Sequence, residues 1–226
     1  MCARYTLTRE IAEVVRLIVC VNLLRAYAPR YNIAPHQHAP VVVREGHATE
    51  LRLLRWGLVP AWAKDEKPGS KLINARMETV MEQASFRNAW RSRRCLIPAD
   101  GFYEWMSTSS GKLPHYFTLK DGQAFCFAGL WERWQPSAAS QQELFATTQE
   151  ASPLETFTIL TTGANTLVAT LHDRMPVILK PEDYELWLDP ASRVQKLAAI
   201  LCPYDPDKMS CTRVSKHVNS SRVEGP

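Results

Sequence analysis

The sequence predicts an α+β protein in which helices pack outside one curved, mixed or antiparallel β-sheet of barrel-like form. Three observations favour this fold class. Runs of β-branched and aromatic residues dominate the chain after its first helix, turn-forming residues separate these runs, and apolar residues recur at helical spacing in only a few segments. No internal repeat or shift in composition divides the 226 residues, so one domain over 1–226 is expected.

The first predicted element is a helix close to the N-terminus. Thr8 precedes a set of apolar residues spaced for one helical face, and Glu10 lies near the electropositive start of the helix. The apolar residues of this face are Ile11, Val14, Val15 and Ile18.

Strands are predicted along most of the remaining chain. Each run is rich in β-branched or aromatic residues and is bounded by Pro, Gly, Asp or Ser. The runs are APVVVRE (39–45), TELRLLRWGLV (49–59), RCLIPADGFYEWM (94–106), PHYFTL (114–119), AFCFAGLWERW (124–134) and TFTILTT (156–162).

Further helices are predicted over residues 77–90, 181–189 and 192–201. Pro181 suits the first position of the second of these, and Ser192 suits the N-cap of the third. The stretch 135–156 is polar and rich in small residues, which is typical of a long flexible loop between two strands.

Charge and cysteine content limit the possible functions. The formal net charge of +4 permits an anionic partner without requiring one. The cysteines include no C-x-x-C pair, and the sequence has no metal-ligand cluster, Gly-rich phosphate loop or G-x-S-x-G motif, so neither a metal nor a cofactor is expected. The apolar run at 14–24 is too short for a bilayer and no signal peptide is apparent, so a cytoplasmic protein without membrane contact is expected.

The start MCARYTL places Cys2 directly after the first methionine. Loss of Met1 would give one residue an α-amine, with a reference pKa of about 7.7–8.0, beside a thiol with a reference pKa of about 8.5. An aldehyde that forms an imine with this amine is then attacked by the thiol, which closes a five-membered thiazolidine. The alternative from sequence alone is that Cys2 is a small apolar core residue.

Five other residues have chemistry that fits a site. In GFYEW, Glu104 would share a strand face with apolar neighbours, so it is an acid, a base or the partner of a cation, unless it faces water or an arginine. In LINARMET, Asn74 and Arg76 lie on one side if the segment is extended; a turn asparagine with a solvated arginine is the alternative. In LHDRMPVIL, His172 and Arg174 have the same spacing, and a structural histidine is the alternative.

Basic and aromatic residues suggest a surface for nucleic acid. Arg4, Arg76 and Arg174 can hold phosphates, and Trp62 in LVPAW can stack on an unpaired base. Most tryptophans are core residues, and the other six are expected to be so.

Taken together, these segments resemble the SOS response-associated peptidase (SRAP) family. The resemblance spans nearly the whole chain in the family's order. The matching blocks are MCARYTL, RYNIAP (30–35), LRWGLVPAW (54–62), LINARMET (72–79), CLIPADGFYEW (95–105), FAGLWE (127–132), FTILTT (157–162), HDRMPVIL (172–179) and VSKHVN (214–219). One departure is Ala3, where the family usually has glycine.

The resemblance implies a single SRAP domain that senses abasic sites in single-stranded DNA, including junctions of single and double strands. A thiazolidine crosslink to Cys2 would shield the lesion. It also implies roles for the residues: Asn74 orients the opened sugar, Glu104 assists proton movements, His172 promotes ring opening, and the arginines hold flanking phosphates while Trp62 stacks near a DNA end. A monomer acting on chromosomal DNA, in a bacterial cytoplasm, is expected.

Other functions are consistent with the same residues. The family also carries a thiol autopeptidase description, which in this chain reduces to the removal of Met1. A thiol hydrolase of peptide bonds, an abasic-site lyase acting through the same imine, and a non-covalent DNA-binding module with an inert Cys2 are the alternatives.

Overall fold

The computed structural model describes residues 2–24, 26–109, 111–136 and 152–225. The strands are β1 Tyr5–Leu7, β2 Val21–Asn22, β3 Arg30–Ile33, β4 His38–Glu45, β5 Ala48–Trp56, β6 Asn74–Arg76, β7 Arg94–Ala99, β8 Gly101–Thr108, β9 Gly111–Leu119, β10 Phe125–Trp134, β11 Leu154–Gly163, β12 Arg174–Pro176, β13 Ile178–Leu179 and β14 Met209–Arg213. The α-helices are α1 Ile11–Ile18, α2 Arg87–Ser92, α3 Tyr184–Leu188 and α4 Val194–Ile200. Short 3₁₀ helices lie at Lys67–Ser70, Val168–Thr170, Pro181–Asp183, Pro206–Lys208 and Lys216–Asn219.

The larger sheet closes on itself. Its strand order is β12-β11-β10-β7-β4-β5-β2, and β5 also pairs in parallel with β11 through Arg55 with Thr156 and Trp56 with Phe157. The strands β11, β10, β7, β4 and β5 therefore form a barrel that mixes parallel and antiparallel pairs. The predicted α+β class with a barrel-like mixed sheet is confirmed.

A smaller antiparallel sheet packs beside the barrel, in the order β14-β9-β8-β1-β3. Tyr5 of β1 joins the two layers. Its ring meets Trp56 at 5.3 Å and Phe127 at 5.8 Å between centroids, both edge to face. Because all three rings are buried, the chain just after Cys2 is anchored in the shared core.

Most of the predicted elements are confirmed, with shifted boundaries. The predicted helix over 77–90 is wrong for its first part: the Met77 amide bonds the Thr161 carbonyl at 3.0 Å, as in a continuing strand. The next residues form turns, and only Arg87–Ser92 is α-helical. The predicted N-cap Ser192 is also displaced, since its hydroxyl donates to the Leu186 carbonyl at 2.7 Å and Arg193 precedes α4 instead.

The predicted strand over 94–106 is two strands in different sheets. At the corner between β7 and β8, the Asp100 carboxylate accepts hydrogen bonds from the Thr8 amide at 2.5 Å and the Arg9 amide at 3.2 Å. This corner carries the chain from the barrel to the small sheet. The predicted strand 49–59 likewise ends at Trp56, because Gly57 has a φ of +120°.

The predicted flexible loop at 135–156 lies mostly outside the described residues, which omit 137–151. Its last three positions, 154–156, belong to β11. The later strand therefore begins earlier than its sequence pattern indicated.

Candidate active site

Cys2 lies shortly before β1, which begins at Tyr5, and belongs to the buried core. Its side chain is fully buried, and its thiol lies 3.8 Å from the Arg4 carbonyl oxygen. Burial raises the pKa of the thiol far above its ordinary value, and the Glu104 carboxylate raises it further. The thiol is consequently protonated at neutral pH, so its reaction needs a proton acceptor.

Asn74 approaches Cys2 from the barrel side. It begins β6, which pairs in parallel with β11 and places Asn74 beside Ile159. The Asn74 Nδ2 group donates a 2.8 Å hydrogen bond to the Cys2 carbonyl oxygen. The Oδ1 atom is buried and accepts no hydrogen bond from any residue in the described ranges, so it is a vacant acceptor beside Cys2.

Glu104 lies across from these groups on β8 of the small sheet. It shares a strand face with Phe102, which stacks on Phe117 in the core, and with Met106 at the exposed rim. Glu104 is 3% exposed. Burial raises the pKa of its carboxyl group, and the charge of nearby His172 opposes this shift in part.

His172 completes the group just before β12. Its Nδ1 atom lies 2.9 Å from the Arg174 amide and 2.9 Å from Asp173 Oδ1. Since Nδ1 accepts from the Arg174 amide only when it carries no proton, the neutral ring holds its proton on Nε2, and the Asp173 contact becomes an ion pair only in the imidazolium form. The side chain is 31% exposed and reaches solvent.

The predicted catalytic residues are therefore brought together. Asn74 contacts Cys2, the charge of Glu104 acts on Cys2, and His172 acts on Glu104. They come from four separate places in the sequence and from both sheets.

Arg174, a predicted phosphate-binding residue, is held by protein groups. Its guanidinium donates to both carboxylate oxygens of Glu78 at 2.6 and 2.9 Å and to the Thr161 carbonyl at 2.6 Å. The side chain is 13% exposed. Hydrogen bonding to Arg174 lowers the pKa of Glu78. A DNA phosphate that binds Arg174 would therefore compete with the Glu78 carboxylate for the guanidinium group.

Arg4, another predicted phosphate-binding residue, is half-buried and holds the C-terminal segment. Its Nη1 atom donates to Asn32 Oδ1 at 2.7 Å and to the Val218 carbonyl at 2.8 Å. The guanidinium also lies over the Trp105 ring, 5.9 Å from its centroid. Arg4 thus links β1 to the end of the chain.

Arg76 and Trp62 are more open. Arg76 is exposed, and its side chain makes no hydrogen bond to any residue within the described ranges. Trp62 is 61% exposed, with its Nε1 group 3.4 Å from the Ala84 carbonyl oxygen. Of the other tryptophans, Trp105 is half-buried and the rest are buried, so the core prediction is confirmed for all but this one.

Sequence reasoning missed the partners of the two engaged arginines. Glu78 lies two residues after Arg76 in the LINARMET block, so its alternation with Arg76 could have placed it on the same side. Asn32 gave no such signal, because the segment around Val218 that it also contacts is distant in sequence.

The described part of the chain contains no group of three or more His, Cys, Asp or Glu residues arranged to hold a metal ion. None of its helices is both long and apolar enough to cross a bilayer. A cavity of about 440 Å³ lies beside Tyr103 and Tyr116 on the other side of β8, and none of the four clustered residues lines it.

Comparison with known proteins identifies the family. The family profile described as SOS response associated peptidase (SRAP) matches residues 1–221. The chain belongs to the SRAP family. Over 230 residues it is 43% identical to the abasic site processing protein YoqW of Bacillus subtilis (strain 168), covering 100% of this chain and 97% of that protein. It is 29% identical to the abasic site processing protein HMCES of Gallus gallus, covering 88% of this chain and 65% of that protein.

Solved structures have the same SRAP fold. A Bacteroides thetaiotaomicron protein matches with a TM-score of 0.84 at 25% identity, covering 97% of this chain and 95% of that one. A phage-related protein of Bordetella bronchiseptica matches with a TM-score of 0.71 at 29% identity, and both chains are fully covered.

Proposed function

We propose that this SRAP protein captures the aldehyde of an abasic site in single-stranded DNA as a thiazolidine on Cys2, after Met1 has been removed. The observation that carries this proposal is the grouping of four residues, in which Asn74 donates a hydrogen bond to the Cys2 carbonyl oxygen, the charge of Glu104 acts on Cys2 and the charge of His172 acts on Glu104. The names of the curated relatives, abasic site processing proteins, support the substrate class.

The chemistry balances without a further reagent. The Cys2 amine adds to the sugar aldehyde, and the resulting carbinolamine loses one water to form an imine. The thiol sulfur then bonds to the carbon of the protonated imine, the ring nitrogen keeps one hydrogen, and the thiol proton replaces the proton that was given to the departing hydroxyl group. One C–N and one C–S bond form, and one water leaves. The two nucleophiles share a residue, which favours ring closure by an effective molarity of roughly 10⁵ M or more.

Glu104 and His172 are proposed to move the protons. The raised pKa of Glu104 lets it hold a proton closer to neutral pH than an ordinary carboxyl group, and it can donate that proton to the departing hydroxyl group. The carboxylate so formed can take the thiol proton. His172 presents Nε2–H in its neutral form and is proposed to assist opening of the sugar ring.

Asn74 is proposed to position the reacting groups. Its Nδ2 group fixes the backbone of Cys2, and its buried Oδ1 atom can accept a hydrogen bond from the Cys2 amine or from a sugar hydroxyl group. With both groups held in this way, the Cys2 amine would approach the sugar aldehyde in one fixed orientation.

DNA is proposed to enter along the exposed side of this cluster. Arg76 is the most available phosphate contact, and the exposed Trp62 indole can stack at a junction of single and double strands. Arg4 and Arg174 are proposed to add phosphate contacts at the sides. All four clustered residues come from one chain, which supports action as a monomer, and we propose that it acts on chromosomal DNA in the cytoplasm.

Capture is favoured over peptide hydrolysis by the state of the thiol. A cysteine nucleophile that attacks an amide needs a lowered pKa, whereas burial raises the pKa of Cys2. Attack on an imine does not need a thiol pKa as low as attack on an amide does. The DNA-processing role and the thiazolidine are therefore proposed together, with peptidase chemistry limited to the loss of Met1.

The test compares three proteins on an abasic single-stranded oligonucleotide. Wild type is expected to form an adduct that survives denaturation. Cys2→Ala retains an amine and is expected to give an adduct only after borohydride reduction of the imine, and Cys2→Ser serves as the isosteric control with the same behaviour. A stable adduct in Cys2→Ala without reduction would sink the thiazolidine, and no adduct in wild type would sink the proposal.

A further inference from the structure

A second basic surface lies on α2 and α4, away from Cys2. A groove of about 430 Å³ runs between these helices. Buried Trp90 and Leu197 form its floor, Met81 and Val194 are exposed at its edge, and Arg87 and Arg91 line one side. The groove thus combines an apolar floor with a cationic wall.

The cations of this groove lack carboxylate partners. Several other surface arginines are paired, for example Arg44 with Glu185 at 2.8 Å and Arg133 with Glu155 at 2.7 Å. In contrast, the exposed side chains of Arg87, Arg91, Arg193 and Lys196 make no ion pair or hydrogen bond within the residues that the structure describes. Their charges are available to an anion.

The framework of the groove is rigid. Arg94 is buried, and its guanidinium donates to the carbonyl oxygens of Trp90 at 2.7 Å, Trp187 at 2.7 Å and Asp189 at 2.5 Å. These bonds hold the C-terminal part of α2 against the end of α3. The guanidinium of Arg94 is therefore fully engaged with backbone carbonyl oxygens, and an anion would bind the exposed arginines instead.

The groove continues the surface of the candidate site. Residues 77–86 connect Arg76 to α2 through consecutive turns. The exposed Trp62 indole lies on this connection, with its Nε1 group 3.4 Å from the Ala84 carbonyl oxygen. The Trp62 indole and the groove therefore both border the segment 77–86 that follows Arg76.

We propose that the α2–α4 groove binds the sugar-phosphate backbone of DNA that continues past Trp62, beyond the abasic nucleotide. This inference rests on the proposed function. Arg87 and Arg91 are one helical turn apart, about 5–6 Å between Cβ atoms. Phosphates on one strand advance about 3.4 Å along a duplex axis per nucleotide, so the two guanidinium groups reach neighbouring phosphates. The apolar floor suits deoxyribose and offers no base-reading pattern, so binding there is independent of sequence.

The experiment measures equilibrium binding to oligonucleotides with a tetrahydrofuran abasic analogue, which has no aldehyde. Three probes are used: a short one confined to the site, one extended on the 5′ side and one extended on the 3′ side. Arg87→Gln/Arg91→Gln is expected to weaken binding to one extended probe and to leave the short probe unchanged. For that probe the slope of log affinity against log salt is expected to fall by about 1.4, because each phosphate neutralised on a single strand contributes about 0.7.

Two controls separate this effect from simple loss of charge. Arg16→Gln/Lys208→Gln removes two exposed positive charges elsewhere and is expected to leave the extended-probe advantage intact. Arg87→Lys/Arg91→Lys keeps the charge and is expected to retain most of the affinity. Equal binding of every extended probe by wild type and Arg87→Gln/Arg91→Gln would overturn the groove assignment, as would an equal loss in the Arg16→Gln/Lys208→Gln control.

The crosslinking reaction distinguishes this inference from the proposed function. Arg87→Gln/Arg91→Gln is expected to form the adduct with a short abasic oligonucleotide as fast as wild type. If wild type forms no adduct at all, the proposed function fails. If both proteins form it equally and bind the extended probes equally, only the groove assignment fails.

Discussion

The side-chain amide of Asn74 donates a 2.8 Å hydrogen bond to the backbone carbonyl oxygen of Cys2. This contact joins β6, which pairs with the barrel strand β11, to the residue that leads into the small sheet. Asn74→Ala should slow adduct formation with abasic DNA by about 10²-fold, since a reacting group displaced by about 1 Å can cost that much. Adduct yield against time gives the rate. Asn88→Ala, at an exposed position of α2, is the matched control, and equal rates for both variants would contradict a positioning role.

Glu104 predicts a pH-dependent stability. Because burial raises its pKa, the folded chain binds more protons than the unfolded chain between the ordinary and the raised pKa. Stability contributed by this group is therefore lost as the pH rises through that window. Above this pH window, Glu104→Gln should have a higher Tm than wild type, by about 2–4 °C for each kcal/mol of added stability. Below the window, the two proteins should have similar Tm values.

Calorimetry over a pH series measures this difference. Glu82→Gln, at an exposed carboxylate outside the helices, should follow wild type at every pH. A Glu104→Gln protein that is less stable than wild type above the window would mean that the ionised carboxylate is stabilised in the fold.

The Arg174–Glu78 pair predicts stronger DNA binding when the carboxylate is neutralised. Glu78 occupies the guanidinium group that a phosphate would use, at 2.6 and 2.9 Å. Glu78→Gln should therefore tighten binding to an abasic-analogue oligonucleotide and steepen its salt dependence by about 0.7 in slope. Fluorescence anisotropy at several salt concentrations measures both.

A neighbouring charge provides the control. Glu82→Gln removes the same charge from an exposed position four residues further on. An equal gain in both variants would show a general charge effect, and unchanged binding in Glu78→Gln would remove Arg174 from the phosphate contacts.

The burial of Cys2 predicts that its thiol becomes accessible only after Met1 is lost. The side chain is fully buried in the chain that still carries Met1, whereas Cys202 is exposed. In a variant whose N-terminus is extended so that Met1 is retained, iodoacetamide should label Cys202 but not Cys2. In the processed chain both should react, as read by peptide mass mapping. Labelling of Cys2 at the same rate in both proteins would show that the accessibility of its thiol does not depend on the loss of Met1, against this prediction.

Sequence patterns predicted the strands well where packing obeys a local rule. Alternation in GFYEW placed Glu104 on the face of Phe102 and Met106, and β8 has this arrangement. The spacing of Val14 and Ile18 likewise predicted the buried face of α1. These elements are determined by side chains that bury one face.

The features that the sequence did not predict depend on contacts between residues distant in the chain. The Asp100 corner splits one apolar run into two sheets through hydrogen bonds to residues near the N-terminus. The Met77 amide bonds the Thr161 carbonyl, so part of a helix-like pattern continues a strand instead. The engagement of Arg174 by Glu78 also depends on strands that are distant in sequence. No local pattern encodes these partners.

The most direct test of the central claim is intact-mass spectrometry of the purified wild-type chain before and after mixing with an abasic single-stranded oligonucleotide. Thiazolidine formation on Cys2 requires that the starting mass lacks one methionine and that the product mass equals this chain plus the oligonucleotide minus one water. A chain that retains Met1 and still forms the adduct, or a processed chain that forms none, would contradict it.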